Sequence, residues 1–540
     1  HREAATPIWL LFAVTGVVLL IACANIANLL LARAANRSME MAVRLSIGAA
    51  RWQLLRQLLA ESVLLALMGG VASLVVAQWS LAAIKAMLPS DASTTFVFGV
   101  DTGVVLFAAL TAVVTGLLFG LFPALHSTRS DLITTIRSNA GNLSGHRAAS
   151  RFRTSLVMAQ IALSMSLLIA AGLFIRSLDN VSKVDLGLKV DNVATFTIAP
   201  RRNGYTSARA AALFERVEES LAALPGATAV TSGRVRLLSG NNWGNDVGVE
   251  GFEANSDTDV NARFNQVGTG YLASLGIPLL AGREFTRADM QGAPRVAIVN
   301  EAFARKFNLG KDAIGKRFSD EGLRGEKNIQ IVGLMKDAKY SQVKDEVPPQ
   351  FFLPWRQDST VGALNFYVRS AMAPEQLLQA IPKLVAALDP NLPVEDLRTM
   401  PQVVRENVFM DRMISTLSAA FAILATLLAA VGLYGVLAYT VAQRTREIGV
   451  RMALGADGGR VRGMVLRQVA MMVAVGGVIG IGAAFAMGRG AQSLLFGVRG
   501  FDVIATLGGA VLLSLVALGA GYLPALKASR VDPMRALRYD

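Results

Sequence analysis

The chain has 540 residues, of which 53% are hydrophobic, and its mean hydropathy is +0.45. A chain that is soluble throughout is usually less apolar, so this class is excluded. The net charge of +14 is assigned to the loops of a membrane protein and not to nucleic-acid binding, because the arginines cluster beside apolar runs. With one cysteine, Cys23, and three histidines (His1, His126 and His146), we expect neither an intrachain disulfide nor a Cys- or His-rich metal site.

Seven apolar windows are long enough to cross a membrane as helices. They are residues 8–31, 62–84, 104–125, 156–175, 414–442, 469–487 and 503–523. Arginines are concentrated after the first, third and fifth windows and in the C-terminal tail, whereas the alternate loops carry few charges. By the positive-inside rule, the N-terminus lies outside and the C-terminus in the cytoplasm. We therefore expect a multi-pass protein of the inner (plasma) membrane, with residues 177–412 in the periplasm.

A charged segment follows the first window and recurs after the fifth. Residues 37–48 and 444–455, each followed by alanine, share the pattern R-x-x-E-x-x-V-R-x-x-x-G-A. On a helix, Glu40 can bridge both Arg37 and Arg44, which creates a polar face along the membrane surface. The matching residues are Arg37, Glu40, Arg44 and Gly48 in the first copy and Arg444, Glu447, Arg451 and Gly455 in the second. One such loop would follow from the positive-inside rule alone, but two copies indicate that the same partner binds twice.

A second repeat lies at the C-terminal ends of the third and seventh windows. Residues 120–131 (GLFPALHSTRSD) match residues 521–532 (GYLPALKASRVD). The shared positions are Pro123, Arg129 and Asp131 in the first block and Pro524, Arg530 and Asp532 in the second. A proline at this place is expected to kink or end its helix. The two repeats together predict two copies of one three-helix unit. Only the second copy is preceded by a window and a long polar region, so we expect that equivalents of both precede His1 in the complete protein.

The long polar region, residues 177–412, has the patterns of a mixed α and β domain. Residue alternation and short buried runs predict strands at 193–199, 296–299, 329–333 and 364–368. Periodic apolar positions predict helices at 207–224, 300–307 and 374–388.

Two segments of this region resemble nucleotide-binding motifs. Residues 310–317 match the phosphate-binding loop except at the last position, where a hydroxyl should bind Mg²⁺. Residues 238–242 (LSGNN) are a distant echo of the signature of ABC ATPases. We interpret both as surface loops, because neither has the rest of a nucleotide site around it. The chain is therefore predicted to be no enzyme and to hold no metal or cofactor of its own.

These observations predict a membrane α-helical bundle of about seven spans, built from two repeated three-helix units, with an inserted extracytoplasmic α+β domain. The predicted parts are a first permease-like unit (1–126), a cytoplasmic linker (127–153), a helix leading to the external domain (154–176), the external domain (177–412) and a second unit with a cytoplasmic tail (413–540).

The two charged segments and residues 524–538 (PALKASRVDPMRALR) resemble the FtsX-like permeases of the macrolide-exporter (MacB-type) class of ABC transporter. Residues 271–283, 296–305 and 313–317 resemble the periplasmic core domain of that class. Two tandem units in one chain resemble the duplicated permeases of acidobacteria, although the first external domain expected there is absent here.

The resemblance implies that a cytoplasmic ABC ATPase dimer, which binds ATP and Mg²⁺, docks on residues 37–48 and 444–455 as coupling helices. ATP binding would then move the spans and, through them, the external domain, so that work is done on the periplasmic side. It leaves room for a periplasmic or outer-membrane partner, and the lipid bilayer is the third partner. Two alternatives stay open at this point. One is an FtsX-like regulator that activates cell-wall hydrolases, and the other is a permease for lipoprotein release.

Overall fold

The computed structural model describes residues 2–36, 40, 43–45, 47–87, 99–128, 144–255, 257–310, 312–454 and 456–531. The chain divides into two compact units. The membrane unit consists of His1–Asn180 and Asp411–Asp540, and the sheet unit consists of Val181–Met410.

Long helices form the membrane unit, and shorter helices accompany the strands of the sheet unit. In chain order, the helices are α1 (Arg2–Asn36), α2 (Arg51–Met87), α3 (Thr102–Thr128), α4 (Ser144–Ser182), α5 (Ser207–Ala222), α6 (Tyr271–Leu275), α7 (Glu301–Lys306), α8 (Pro374–Leu388), α9 (Met400–Asn407), α10 (Phe409–Gln443), α11 (Thr445–Ala453), α12 (Gly458–Gly490) and α13 (Val503–Ala528).

Within the described residues, six helical stretches are long and apolar enough to cross a membrane. They are Trp9–Asn28, Trp52–Ala86, Arg151–Ser182, Phe409–Gln443, Gly458–Gly490 and Val503–Ala528. The remaining predicted span, 104–125, lies on α3, of which the stretch Thr102–Leu117 is a shorter apolar helix. Each predicted window therefore lies on a helix. Helix α4 begins at Ser144, inside the range predicted as a linker.

Helices α1, α10, α12 and α13 of the membrane unit pack around helix α4. Buried apolar residues of α4, α10, α12 and α13 form one cluster, and residues of α1, α4 and α10 form a second cluster. Glycines allow α12 to approach α4 closely: a Cβ atom added at Gly480 would lie 2.5 Å from the carbonyl oxygen of Ala162. Small residues at helix contacts are the usual means of close packing in lipid. Outward-facing side chains such as Val478, which is 73% exposed, present an apolar surface of the kind that lipid covers.

The described strands of the sheet unit form one twelve-stranded sheet with the order β12-β1-β11-β2-β5-β10-β7-β9-β8-β4, in which β3 also pairs with β5 and β6 with β9. The strands are β1 (Val193–Ile198), β2 (Ala227–Gly233), β3 (Gly244–Asp246), β4 (Gly248–Val249), β5 (Asn261–Val267), β6 (Leu279–Gly282), β7 (Val296–Asn300), β8 (Arg317–Ser319), β9 (Ile329–Met335), β10 (Gln350–Pro354), β11 (Leu364–Ser370) and β12 (Glu395–Thr399). Two pairs are parallel, β5 with β10 and β7 with β9. The predicted external α+β domain is thus a mixed sheet with helices packed on it.

Helix α5 shows how the sequence places a helix on this sheet. The Thr206 hydroxyl accepts a hydrogen bond from the Arg209 N–H (3.4 Å) and caps the helix N-terminus. Leu213, Val217 and Leu221 recur every four residues, so they share one face, which is buried against strands β1, β2 and β11. The predicted strands and helices of this region all occur in the structure, with bounds that agree or differ by at most two residues.

Candidate functional site

The second charged segment is a short helix, α11, that directly follows α10. Glu447 and Arg451 lie four residues apart on it, and Arg451 Nη2 donates to Glu447 Oε1 over 2.6 Å. About half of each side chain is exposed, so the pair contributes little to stability and remains available to a partner. Arg444 is exposed at the junction that precedes the helix. Among the described residues Glu447 pairs with Arg451 and not with Arg444.

The first charged segment contains the same ion pair. Arg44 Nη2 donates to Glu40 Oε1, also over 2.6 Å, and about half of each side chain is exposed. The Nη1 atom of the same arginine contacts the residue 13 positions further along the chain in both copies. This residue is Gln57 in the first copy (3.2 Å) and Met464 in the second (3.1 Å). The two copies therefore agree in the contacts of their side chains as well as in sequence.

The glycine of the pattern ends the helix. Gly48 has a φ of +102°, which non-glycine residues rarely adopt. The N–H of Gly48 donates to the Leu45 carbonyl (3.2 Å) and the N–H of Ala49 donates to the Arg44 carbonyl (3.0 Å), which is the Schellman arrangement of a helix C-terminus. In the second copy, the N–H of Ala456 donates to the Arg451 carbonyl over 2.9 Å. The backbone turn thus explains the glycine at position 48.

Exposed apolar side chains accompany the ion pairs at equivalent positions. Ile47 is 80% exposed and Leu454, its equivalent, is 83% exposed. One turn earlier, Val43 and Val450 are 48% and 40% exposed. Each copy therefore presents a charged pair together with exposed apolar side chains. This combination is typical of surfaces that bind another protein or a membrane.

Several predicted site residues lie outside the described residues or differ from expectation. Arg37, Gly455, Arg129, Asp131 and Asp532 are outside the described residues.

The prolines of the span-end repeat do not end their helices. Helix α3 continues beyond Pro123 to Thr128, and α13 continues beyond Pro524 to Ala528. Proline removes one backbone hydrogen bond, and near a helix C-terminus only a few bonds remain to be formed after it. Pro524 is buried, and Arg530 is exposed in the turn after α13.

The span-end repeat of the second copy lies close to the start of α12, shortly after the second charged segment. A Cβ atom added at Gly458, the first residue of α12, would lie 3.3 Å from the Ser529 carbonyl oxygen. The start of α12 therefore meets the residue that follows the C-terminal end of α13. The structure thus brings Gly458, three residues after the second charged segment, to Ser529 of the span-end repeat, about 70 residues further along the chain.

Sequence reasoning missed one repeated feature and one cluster. Asp101 and Asp502 cap the N-termini of α3 and α13 with equal geometry, each through Oδ1 at 2.8 Å from a backbone N–H. An aspartate before each window was the available indication. The cluster consists of buried polar side chains between α1, α4 and α10, namely Asn25, Asn28, Arg153, Gln160 and Ser164. Its polar residues are interspersed in apolar runs, and their burial cannot be read from composition.

Two titratable groups of the sheet unit, Tyr367 and Asp289, have structural partners that accompany their pKa shifts. Burial raises the pKa of Tyr367 to about 12, and its hydroxyl accepts from the Leu237 N–H (3.0 Å). The two hydrogen bonds from Arg283 (2.7 and 2.8 Å) lower the pKa of Asp289. Among the described residues, no group of three or more His, Cys, Asp or Glu side chains could hold a metal ion. Residues 312–315, which belong to the segment that resembles a phosphate-binding loop, form turns.

Comparison with protein families gives two matches that together cover most of the chain. Residues 154–384 match the MacB-like periplasmic core domain. Residues 12–132 and 419–533 each match the FtsX-like permease C-terminal region, so this model matches once on each three-helix unit.

Curated relatives are ABC transporter permeases. The chain is 24% identical to the uncharacterized ABC transporter permease YknZ of Bacillus subtilis (strain 168), over 53% of this chain and 72% of that protein. It is 27% identical to the pyoverdine export ATP-binding/permease protein PvdT of Pseudomonas syringae pv. syringae, over 50% of this chain and 41% of PvdT. It is 26% identical to the macrolide export ATP-binding/permease protein MacB of Hahella chejuensis, over 52% of this chain and 43% of MacB. The match therefore spans less than half the length of the last two relatives.

A similar solved structure is the periplasmic region of MacB from Actinobacillus actinomycetemcomitans. The two are 13% identical in sequence, the alignment covers 42% of this chain and 95% of that chain, and the TM-score is 0.28. The assignment of the family rests on the two family models and the curated relatives. The chain belongs to the FtsX-like permeases of MacB-type ABC transporters.

Proposed function

We propose that this chain is the permease of an ABC-type exporter in the inner membrane, and that a separate cytoplasmic ATPase dimer drives it. The observation that carries the proposal is the pair of matching coupling segments. Each presents a half-exposed Glu–Arg ion pair beside an exposed apolar side chain. A two-fold partner such as an ATPase dimer requires two equivalent sites, and one chain supplies both of them.

The ATPase would move the spans, and the motion would reach the sheet unit in the periplasm. The coupling segment continues directly from α10 and leads into α12, whose first residue, Gly458, meets the end of α13. A displacement of α11 would therefore reach α10 directly and α13 through the start of α12. Export is supported by the names of the relatives PvdT and MacB, which are described as pyoverdine and macrolide export proteins. ATP and Mg²⁺ would be bound by the partner and not by this chain.

The test is purification of the protein from its native membrane in mild detergent, followed by mass spectrometry and an ATP-hydrolysis assay. We expect a stoichiometric ATPase that is lost in the Glu40→Arg/Glu447→Arg variant, since charge reversal removes the ion pair and repels the same partner twice. Glu40→Gln/Glu447→Gln removes the ion pairs without reversing charge and should give an intermediate loss. Glu375→Arg, at an exposed position of the sheet unit, is the matched control and should retain the ATPase.

Other results would point to the other functions. An ATPase together with a bound cell-wall hydrolase, and no export of any compound, would favour an FtsX-like regulator. Lipid-modified proteins bound to the sheet unit would favour lipoprotein release. Full retention of the ATPase by the double-reversal variant would contradict the docking role of both segments.

A further inference from the structure

A small cavity lies inside the membrane unit between α1, α4 and α10. Its volume is about 30 Å³, and its polar lining consists of Asn25, Asn28, Arg153 and Tyr439. Valines and glycines of α10 form the rest of the lining, and no acidic residue is among the described residues that line it. The side chains of Asn28 and Arg153 are nearly fully buried, because each residue is only 6% exposed.

Two of the polar groups in the cavity lack a partner. Neither Nδ2 nor Oδ1 of Asn28 has a hydrogen-bond partner among the described residues, and the same holds for Nε of Arg153. The neighbouring Asn25 is different, because its Nδ2 donates to the Leu428 carbonyl (2.7 Å) and its Oδ1 accepts from Gln160 Nε2 (3.2 Å). Buried groups that lack partners are costly, particularly in a membrane, and mark places where something binds. Asn25 therefore holds helices together, whereas Asn28 is available to a ligand.

The cation of the cavity is held in place by an aromatic ring. The Arg153 guanidinium lies 4.0 Å from the centroid of the Tyr439 ring. Stacking of this kind fixes the plane of a guanidinium group and leaves its N–H edges free to donate. A fixed guanidinium is suited to the planar or tetrahedral oxygens of a carboxylate or a phosphate.

The cavity lies near the boundary of the hydrocarbon layer. Asn28 is the last residue of the apolar stretch Trp9–Asn28, and Arg153 is the third residue of Arg151–Ser182. Helices α1 and α10 lead directly into the two coupling segments, so the cavity lies at that end of the membrane unit. At this depth, the anions that surround a membrane protein are the phosphates of phospholipids.

The duplication explains why there is room for a ligand. Asn28 and Gly435 occupy equivalent positions of the two repeats, nine residues before Arg37 and Arg444. A Cβ atom added at Gly435 would meet no atom within 4 Å. One repeat thus contributes the polar side chain and the other contributes the space. Two identical copies would place asparagine opposite asparagine or glycine opposite glycine.

We propose that this cavity binds the headgroup phosphate of an anionic phospholipid. The Arg153 guanidinium and the Asn28 amide N–H donate to the phosphate oxygens, while Asn28 Oδ1 accepts from a headgroup hydroxyl. A headgroup that offers both a phosphate and a hydroxyl, as in phosphatidylglycerol, satisfies all three atoms that lack partners: Nε of Arg153 and Nδ2 and Oδ1 of Asn28. The volume suits phosphate oxygens and not a whole transported molecule.

The test is native mass spectrometry of the full chain, delipidated in detergent and titrated with phosphatidylglycerol. We expect one tightly bound lipid in the wild type and about tenfold weaker binding in Arg153→Gln, because a hydrogen bond to a charged group is lost. Asn28→Leu fills the space without changing charge and should weaken binding by a similar factor. Arg151→Gln is the matched control: this arginine is exposed two residues away on the same helix, and its loss should leave the tight site intact.

A thermal-unfolding series separates binding from folding. Phosphatidylglycerol should raise the Tm of the wild type and of Arg151→Gln, but not of Arg153→Gln or Asn28→Leu. Unchanged lipid binding in both cavity variants would overturn the proposal. Equal stabilisation of the wild type by inorganic phosphate, with displacement of the lipid, would show a free-phosphate site and would overturn the assignment to a lipid.

Discussion

Asn25 and Gly432 occupy the same position in the two repeats, and they contact each other. Each lies 12 residues before the first arginine of its coupling segment, Arg37 or Arg444. A Cβ atom added at Gly432 would lie 2.2 Å from Asn25 Oδ1 and 2.5 Å from Gln160 Oε1. Equivalent residues meet each other at the axis of an isologous two-fold pair. Helices α1 and α10 therefore cross in the manner of a dimer interface, with both partners supplied by one chain.

The close contact at Gly432 gives a prediction for stability. Gly432→Ala should push α10 away from Asn25 and Gln160 and weaken the Asn25–Leu428 hydrogen bond, because the new methyl group has no space. We expect a loss of about 1–3 kcal/mol, the usual cost of overpacking, measured as a lower Tm in mild detergent. Gly16→Ala, on α1, places its methyl group where no atom lies within 4 Å and serves as the control. Equal Tm values for the two variants would contradict the contact.

The exposed apolar residues of the coupling segments give a functional prediction. Ile47→Ser and Leu454→Ser should each weaken association with the ATPase, and the double variant should weaken it more than either. Truncation of a central apolar anchor costs roughly 1–2 kcal/mol or more, so about a tenfold loss of affinity is expected for each. Binding of the purified ATPase to immobilised permease measures this.

The control is Leu323→Ser, which removes an exposed leucine of the sheet unit. Wild-type affinity in the double variant would mean that Ile47 and Leu454 contact lipid and not the ATPase. That result would leave the ion pairs as the only docking groups.

Much of the architecture could be predicted because its causes are local. The length of the apolar windows predicts the spans, and the repeated charged pattern predicts the two copies. Both can be recognised in the sequence without knowledge of any tertiary contact. The burial of Arg153 could not be predicted from the sequence. An arginine at the edge of an apolar window is usually part of a basic loop, and only the packing of α1 and α10, separated by hundreds of residues, buries it. The sheet order depends on similarly distant partners, such as parallel strands β5 and β10.

The ion pair of Arg283 and Asp289 gives a prediction for pH. Arg283 lowers the pKa of Asp289, so the ionised carboxylate is stabilised in the folded state. This stability is fully present above the pKa of an unfolded aspartate, about 3.9, and is lost as the pH falls through the lower folded value. Asp289→Asn should therefore cost roughly 1–3 kcal/mol at neutral pH, with the difference shrinking below pH ~4.

Urea unfolding of the sheet unit, followed by the fluorescence of Trp243 and Trp355 in the full chain, measures that difference at pH 7, 5 and 3.5. The control is Asp257→Asn, at an exposed loop position. A difference between wild type and Asp289→Asn that grows on acidification would contradict the assigned direction of the pKa shift.

The matched caps of α3 and α13 allow the contribution of a helix cap to stability to be measured separately from that of an ion pair. Asp101 and Asp502 each accept a backbone N–H at 2.8 Å, from Val104 and Ala505, but Asp502 also pairs with Arg176. Asp101→Ala should cost about 1 kcal/mol, the usual value of a cap, and Asp502→Ala should cost more. Asparagine retains the capping oxygen, so Asp101→Asn should be near wild type while Asp502→Asn loses only the ion pair.

Hydrogen exchange of peptides that contain Val104 or Ala505, read by mass spectrometry, reports the two helix ends separately. We expect faster exchange at Val104 in Asp101→Ala but not in Asp101→Asn. At Ala505 both Asp502→Ala and Asp502→Asn should exchange faster than the wild type, and the alanine variant should exchange fastest. The reason is that the Asp502 side chain is only 18% exposed, so its ion pair with Arg176 is partly shielded from water. Equal effects of the two asparagine variants would show that the pair with Arg176 adds nothing to the cap, and the two repeats would then be equivalent at this end as well.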